Sequence, residues 1–125
     1  MLTIEKIFQI AKKEAIKTHD CKRQFAACLV DKNRILEIGR NYGQHPKTPR
    51  EFTYEKPLGL HAEIHLLLKC DFPLDRLSIY IYGQNRKSGK PVYSRPCKFC
   101  QFFLKTKNLT KVYFITPKGY EFIKL

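Results

Sequence analysis

Near the start of the chain, Ile4, Ile7, Phe8, Ala11 and Ala15 recur at helical spacing while Lys12, Lys13 and Glu14 fall mostly on the other side. This pattern predicts an amphipathic helix over residues 3–18 that packs on a sheet. The period then changes. Residues 25–30 are apolar without alternation, as in a strand covered on both faces, and Asp31-Lys32-Asn33 turns the chain into a second strand over residues 34–40. The two form a hairpin.

Residues 42–60 have no clear period and carry Gly43, Pro46, Pro49, Pro57 and Gly59. Loops this long inside compact domains tend to be functional or disordered. Lys47, Arg50 and Lys56, interleaved with Tyr42, Phe52 and Tyr54, offer phosphate contacts and base stacking. The same aromatic rings equally suit pinning an exposed loop to the body.

A second helix is predicted over residues 61–70, with Ile64, Leu66, Leu67 and Leu68 turned inward, and a break at Pro73 ends it. Residues 76–82 alternate as a strand, Leu77, Ile79 and Ile81 on one face and Ser78, Tyr80 and Tyr82 on the other. A basic loop follows over residues 83–95, with Arg86, Lys87, Lys90 and Arg95 around Ser88-Gly89. A third helix opens at Pro96, and the i, i+3, i+4 spacing of Phe99, Phe102 and Phe103 assigns them to core contact, with Phe99 the candidate for a role at the site.

Residues 110–116 read as a fourth strand, Pro117-Lys118-Gly119 as a turn and residues 120–125 as a fifth strand. A connection this short permits only an antiparallel return, because parallel neighbours need a crossover of a dozen or more residues. The order of elements predicts an α/β fold, a single mixed five-stranded sheet with helices on both faces, and residues 1–125 as one domain.

Composition supports a packed globule, with 43% hydrophobic and 13% aromatic residues over 125 positions. No apolar run reaches the length that spans a bilayer, so no membrane partner is expected. Met1-Leu2-Thr3-Ile4-Glu5-Lys6 lacks a signal-peptide pattern, which makes a cytoplasmic location the expectation. Five cysteines are an odd number for a disulfide framework. Cys28 and Cys70 fit small buried hydrophobes, and Cys21 has no evident place. The net charge of +13, from 24 basic and 11 acidic residues, predicts attraction to polyanions without naming which.

The chemistry sits in two short motifs, His61-Ala62-Glu63 and Pro96-Cys97-Lys98-Phe99-Cys100. A zinc ion that does chemistry takes three protein ligands and keeps a fourth position open, whereas a structural zinc is closed by four. His61, Cys97 and Cys100 supply three. At i and i+3 of a helix start both sulfurs lie on one face, where the helix N-terminus favours the thiolate that binds metal. His61 and Glu63, in the first turn of their helix, can both point ahead of its end. Taken singly, P-C-x-x-C also suits half of a structural zinc site or a redox pair, and H-x-E is weaker still. His65 raises a rival pair with His61, but only Ile64 separates Glu63 from His65, where the metalloprotease pattern has two residues.

In combination and order the motifs resemble the zinc-dependent cytidine and deoxycytidylate deaminase superfamily, whose signature is H-x-E followed by P-C-x-x-C. The resemblance runs from about Phe25 to Ile115. It implies zinc on His61, Cys97 and Cys100, Glu63 as the non-ligand general acid and base, and Asn41, Ala62 and Arg95 against the substrate, Asn41 at its sugar. The residue before Pro-Cys is often small in the family, and Arg95 departs from that. By the same resemblance an antiparallel last strand belongs to free cytidine deaminases, while enzymes acting on tRNA or polynucleotides run it parallel.

The resemblance therefore implies hydrolytic deamination of cytosine in a nucleoside or nucleotide, with assembly into dimers or tetramers common in the family. Two rivals stand beside it. One is deamination of cytosine or adenine in single-stranded DNA or RNA held by the basic loops. The other is a catalytically idle zinc domain that binds nucleic acid, which would want a fourth ligand in place of a free Glu63.

Overall fold

The sheet is built around β1 (Arg23–Asp31), whose residues from Ala26 to Val30 are buried on both faces. The computed structural model describes residues 2–43 and 60–125. The loop cations Lys47, Arg50 and Lys56, with Phe52 and Tyr54, lie outside the described residues. Strand order is β2-β1-β3-β4-β5, with β2 at Arg34–Arg40, β3 at Ser78–Asn85, β4 at Lys111–Thr116 and β5 at Gly119–Lys124. Of the four strand pairs among the described residues, β3 and β4 run in parallel and the others antiparallel; β5 returns antiparallel to β4, as a connection of two residues, Pro117 and Lys118, requires.

Helices cover both faces. α1 (Ile4–Ala15) starts where the Thr3 side chain accepts a hydrogen bond from the Lys6 amide, and it buries Ile7, Phe8, Ala11 and Ala15. These residues pack with Ala26, Cys28, Val30, Tyr80 and Tyr82. On the opposite face α2 (Ala62–Leu68) and α3 (Lys98–Thr106) cover Ala27, Leu29, Ile79, Ile81, Val112 and Phe114. Cys28 is a fully buried thiol, as its apolar run predicts, and burial pushes it up to about 12. Cys70 is half-buried against the α2 side of the core.

The structure corrects three details. β3 begins at Ser78, after Arg76 in the left-handed region (φ 64°), and runs on to Asn85 through residues expected to be loop. Gly83 permits this, because a Cβ there would collide with the Phe25 ring on the neighbouring strand. Phe102, expected in the core, is 64% exposed, since α3 turns Cys100 and Leu104 inward instead. Leu68, at the last turn of α2, is exposed too.

A buried polar chain ties the sheet to the segment after α1. Tyr82 donates its hydroxyl hydrogen to Gln84 Oε1 at 2.9 Å, Gln84 donates to Gln24 Oε1 at 2.9 Å, and Gln24 donates to the Thr18 carbonyl at 2.7 Å. The Thr18 hydroxyl in turn donates to the Asn41 carbonyl at 3.1 Å. Every member has a partner, as buried polar groups must to avoid a desolvation cost.

Gly39 sets how closely α2 approaches the sheet. A Cβ there would lie 2.5 Å from the Leu66 nitrogen and 2.6 Å from the Ala62 carbonyl oxygen, both backbone atoms of α2. Gly39→Ala is therefore expected to destabilise the fold by about 1–3 kcal/mol, read from a chemical denaturation midpoint. An unchanged midpoint would mean that α2 does not rest on β2 at this point.

Candidate active site

Two helix N-termini meet at one end of the sheet. His61 is the N-cap of α2 and Cys97 the N-cap of α3, both with extended backbone. The helix therefore starts at Lys98, two residues later than a start at Pro96. The reason is that the Cys97 sulfur accepts a hydrogen bond from the Cys100 amide at 3.4 Å, the capping bond of this helix.

This geometry brings one imidazole and two thiols together. His61 Nδ1 lies 3.3 Å from the Cys100 sulfur and 4.0 Å from that of Cys97, and the three ligand atoms all fall within 4.8 Å of one another. Zinc bonds of roughly 2.3 Å to sulfur and 2.0–2.1 Å to nitrogen in a tetrahedron separate ligand atoms by about 3.5–3.8 Å. The donor set and its spacing thus fit a zinc ion with three protein ligands. In this arrangement Nδ1 is the His61 nitrogen that faces the two sulfurs.

Glu63 stands in the first turn of α2, buried, and is not one of the three grouped donors. Burial raises its pKa above the usual carboxylate range, against the opposing pull of His61 and a hydrogen bond from Cys100. The Cys100 thiol is itself pushed well up, first by its hydrogen bond with Cys97 and then by burial. A bound divalent cation would reverse that balance, because coordination deprotonates a thiol outright.

His65 takes no part in this group. Its Nδ1 accepts a hydrogen bond from the Arg40 amide at 3.0 Å, and its ring meets Tyr42 edge-on at 4.9 Å. It fastens the end of β2 to α2 as a helix-face histidine. Beside the three donors opens a cleft of about 760 Å³, within the range of small-molecule sites, whose lining includes Phe25, Asn41, His61, Ala62, Glu63 and Cys97.

The fold has solved counterparts. The dCMP deaminase from the cyanophage S-TIM5 in complex with dCMP and dUMP superposes with a TM-score of 0.67, at 19% identity over 93% of this chain and 85% of that one. Its apo form gives 0.59 at 19% identity, over 92% and 86%. Cytidine deaminase from Mycobacterium leprae gives 0.57 at 17% identity, over 98% and 94%. This chain has the cytidine deaminase fold. The likeness is one of shape, for no family model and no curated protein matches the sequence.

Within the cytidine deaminase fold, the remaining sequence-predicted positions can be placed. Asn41, Ala62 and Arg95 all line the cleft. The Asn41 side chain also holds the scaffold: its Oδ1 accepts from the Phe25 amide at 2.8 Å and its Nδ2 donates to the Arg23 carbonyl at 2.9 Å. Asn41→Ala is expected to cost about 1–3 kcal/mol of stability. A residue that only touched substrate would leave the denaturation midpoint unchanged, which is how the two roles separate.

Of the four cations in the 83–95 loop, only Arg95 lines the cleft. Arg86 instead donates to the His19 carbonyl at 2.5 Å, and its amide bonds the Lys22 carbonyl at 2.9 Å. Sequence reasoning missed Lys22 and Arg23, which line the cleft together with Asp20 and Cys21. Two adjacent cations just before a buried strand were the available signal. Tyr93 and Ser94 also face the cleft; the Tyr93 ring rests edge-on against Phe114 at 5.6 Å. No helix among the described residues is long and apolar enough to cross a membrane.

Proposed function

We propose that this protein is a zinc-dependent hydrolytic deaminase that converts cytosine to uracil in a nucleoside or nucleotide. The observation that carries the reading is the group of His61, Cys97 and Cys100 at the cleft, with the buried Glu63 carboxyl beside it and outside the ligand set. His61, Cys97 and Cys100 would hold the zinc, and zinc when bound supplies water of lowered pKa at that point.

Glu63 moves the protons. It accepts one from the attacking water, passes it to the ring nitrogen next to the reacting carbon, and then assists protonation of the departing amine. A carbon–oxygen bond forms, the carbon–nitrogen bond breaks, and ammonia leaves. Burial suits Glu63 to this exchange, because it brings a carboxyl group towards the pH at which the group must both take and give a proton. Ala62, buried between His61 and Glu63, lets the ring approach without a larger side chain in the way.

A nucleoside monophosphate is the favoured substrate. Lys22, Arg23 and Arg95 give the cleft cations for a phosphate, and a neighbour in fold is the dCMP deaminase held with dCMP and dUMP. Asn41, at the cleft wall, is assigned to the sugar. Deamination in single-stranded DNA or RNA draws on the net charge of +13. By resemblance, however, the antiparallel β5 sets the chain apart from enzymes acting on tRNA or polynucleotides, which run the last strand parallel. An idle zinc domain would bring a fourth ligand to the group, and among the described residues the group has three members, Glu63 not among them.

The test is a steady-state comparison of deoxycytidylate, cytidylate and their nucleosides. Arg95→Gln should raise KM for the monophosphates by about tenfold or more, the worth of a charge-assisted hydrogen bond, while sparing the nucleosides. Equal KM values with and without phosphate in the unaltered protein would remove the phosphate assignment.

A further inference from the structure

On its α1 side the sheet is only partly covered. α1 packs on β1, β2 and β3, and reaches β5 through Phe8, whose ring centroid lies 5.9 Å from that of Tyr120. Cross-strand register pairs Lys111 with Lys124, Tyr113 with Phe122 and Ile115 with Tyr120, all on this side. Their neighbours Val112, Phe114 and Ile123 point into the opposite core.

The result is an aromatic row across three adjacent strands. Tyr80 of β3 and Tyr113 of β4 stack at 4.4 Å and 6°, and Tyr113 leans on Phe122 of β5 at 5.6 Å. The row begins in the core and ends in solvent, with Phe122 51% and Tyr120 43% exposed. The Lys111 ammonium sits over it, 5.0 Å from the Tyr113 ring centre and 4.5 Å from that of Phe122. Glu121, the only acidic residue of β4 and β5, pairs with Phe114 and so faces the other way.

We propose that this face binds single-stranded nucleic acid at a site separate from the cleft, Phe122 and Tyr120 stacking bases and Lys111 and Lys124 holding phosphates. Aromatic faces flanked by cations are the chemistry of strand-binding platforms, since every base has a π-face and every linkage a negative charge. Among the described residues no salt bridge engages Lys111 or Lys124, and the protein carries a net charge of +13. A second copy of the chain is a poor occupant, because a two-fold contact of this face would gather four lysines, Lys111 and Lys124 from each copy, in one interface. None of Lys111, Tyr113, Tyr120 and Phe122 lines the cleft, so the inference does not depend on what the cleft converts.

Fluorescence anisotropy of the zinc-loaded full chain with labelled mixed-sequence single-stranded DNA and RNA oligonucleotides tests this. Phe122→Ser should weaken binding by about tenfold, the worth of one stacked base. Lys124→Gln should flatten the logarithmic salt slope by about 0.7, the worth of one phosphate contact. Photocrosslinking of an iodouracil-substituted oligonucleotide to the unaltered protein should label peptides within residues 111–124, which reads the site even if a variant folds poorly. Crosslinks confined to the cleft, a loss seen with Arg95→Gln but not Phe122→Ser, or no binding together with a concentration-dependent dimer would each overturn the proposal.

Discussion

Glu63→Ala should fold, load zinc and lose turnover by at least roughly 10²–10⁴-fold, the usual contribution of a positioned general acid and base. The carboxyl lies outside the ligand group, so its removal leaves the imidazole and two sulfurs in place. It is also buried, and a small apolar replacement leaves no charge without a partner. Metal content by elemental analysis and rate by product formation separate the two effects. Retained activity at normal zinc content would end the assignment of Glu63 to proton transfer.

The second large effect concerns the thiols. Cys97→Ser or Cys100→Ser should abolish stoichiometric zinc and remove the stabilisation that bound metal confers, about 4 kcal/mol when free zinc exceeds its dissociation constant a thousandfold. The unaltered protein should then show a thermal midpoint that falls on chelation, whereas the serine variants should be indifferent to chelator. Cys97 also caps α3 through the Cys100 amide, so its replacement touches the helix start as well as the metal. Comparison with Cys28→Ser controls for loss of a buried thiol elsewhere, since Cys28 is fully buried in the α1 core and outside the donor group. Full metal occupancy in Cys97→Ser would refute the ligand set.

Much of this architecture was legible because it depends on near neighbours in sequence. The unbroken apolar run at 25–30 predicts a strand covered on both faces, and β1 is that strand, buried from Ala26 to Val30. The alternation of Leu77, Ile79 and Ile81 with Tyr80 and Tyr82 divides correctly between the two cores. The turn at 117–119 forces the antiparallel β5. The residue types of the two motifs point to one donor group, and two helix starts bring His61, Cys97 and Cys100 together.

What was not legible depends on distant partners. Gly83 reads as the start of a loop until the Phe25 ring is seen beside it, and only then is the extension of β3 explained. Phe102 has helical spacing with Phe99 and Phe103, but the direction of α3 is fixed by Cys97 and Cys100 at its start, which leaves Phe102 in solvent. Lys22 and Arg23 have no periodicity, and they reach the cleft because the Thr18, Gln24 and Gln84 network holds the chain after α1. The motif spacing already sets His65 aside as a ligand, and its bond to the Arg40 amide supplies the structural reason.

The most direct measurement is mass spectrometry of deoxycytidylate incubated with the zinc-loaded protein, beside cytidine, deoxycytidine, a single-stranded oligonucleotide and the Glu63→Ala variant. Replacement of the amine by an oxo group in the free compounds, with ammonia released and none formed by Glu63→Ala, is the predicted result. No conversion of any free compound by folded, zinc-loaded protein would contradict it, and conversion of the oligonucleotide alone would move the activity to polynucleotides.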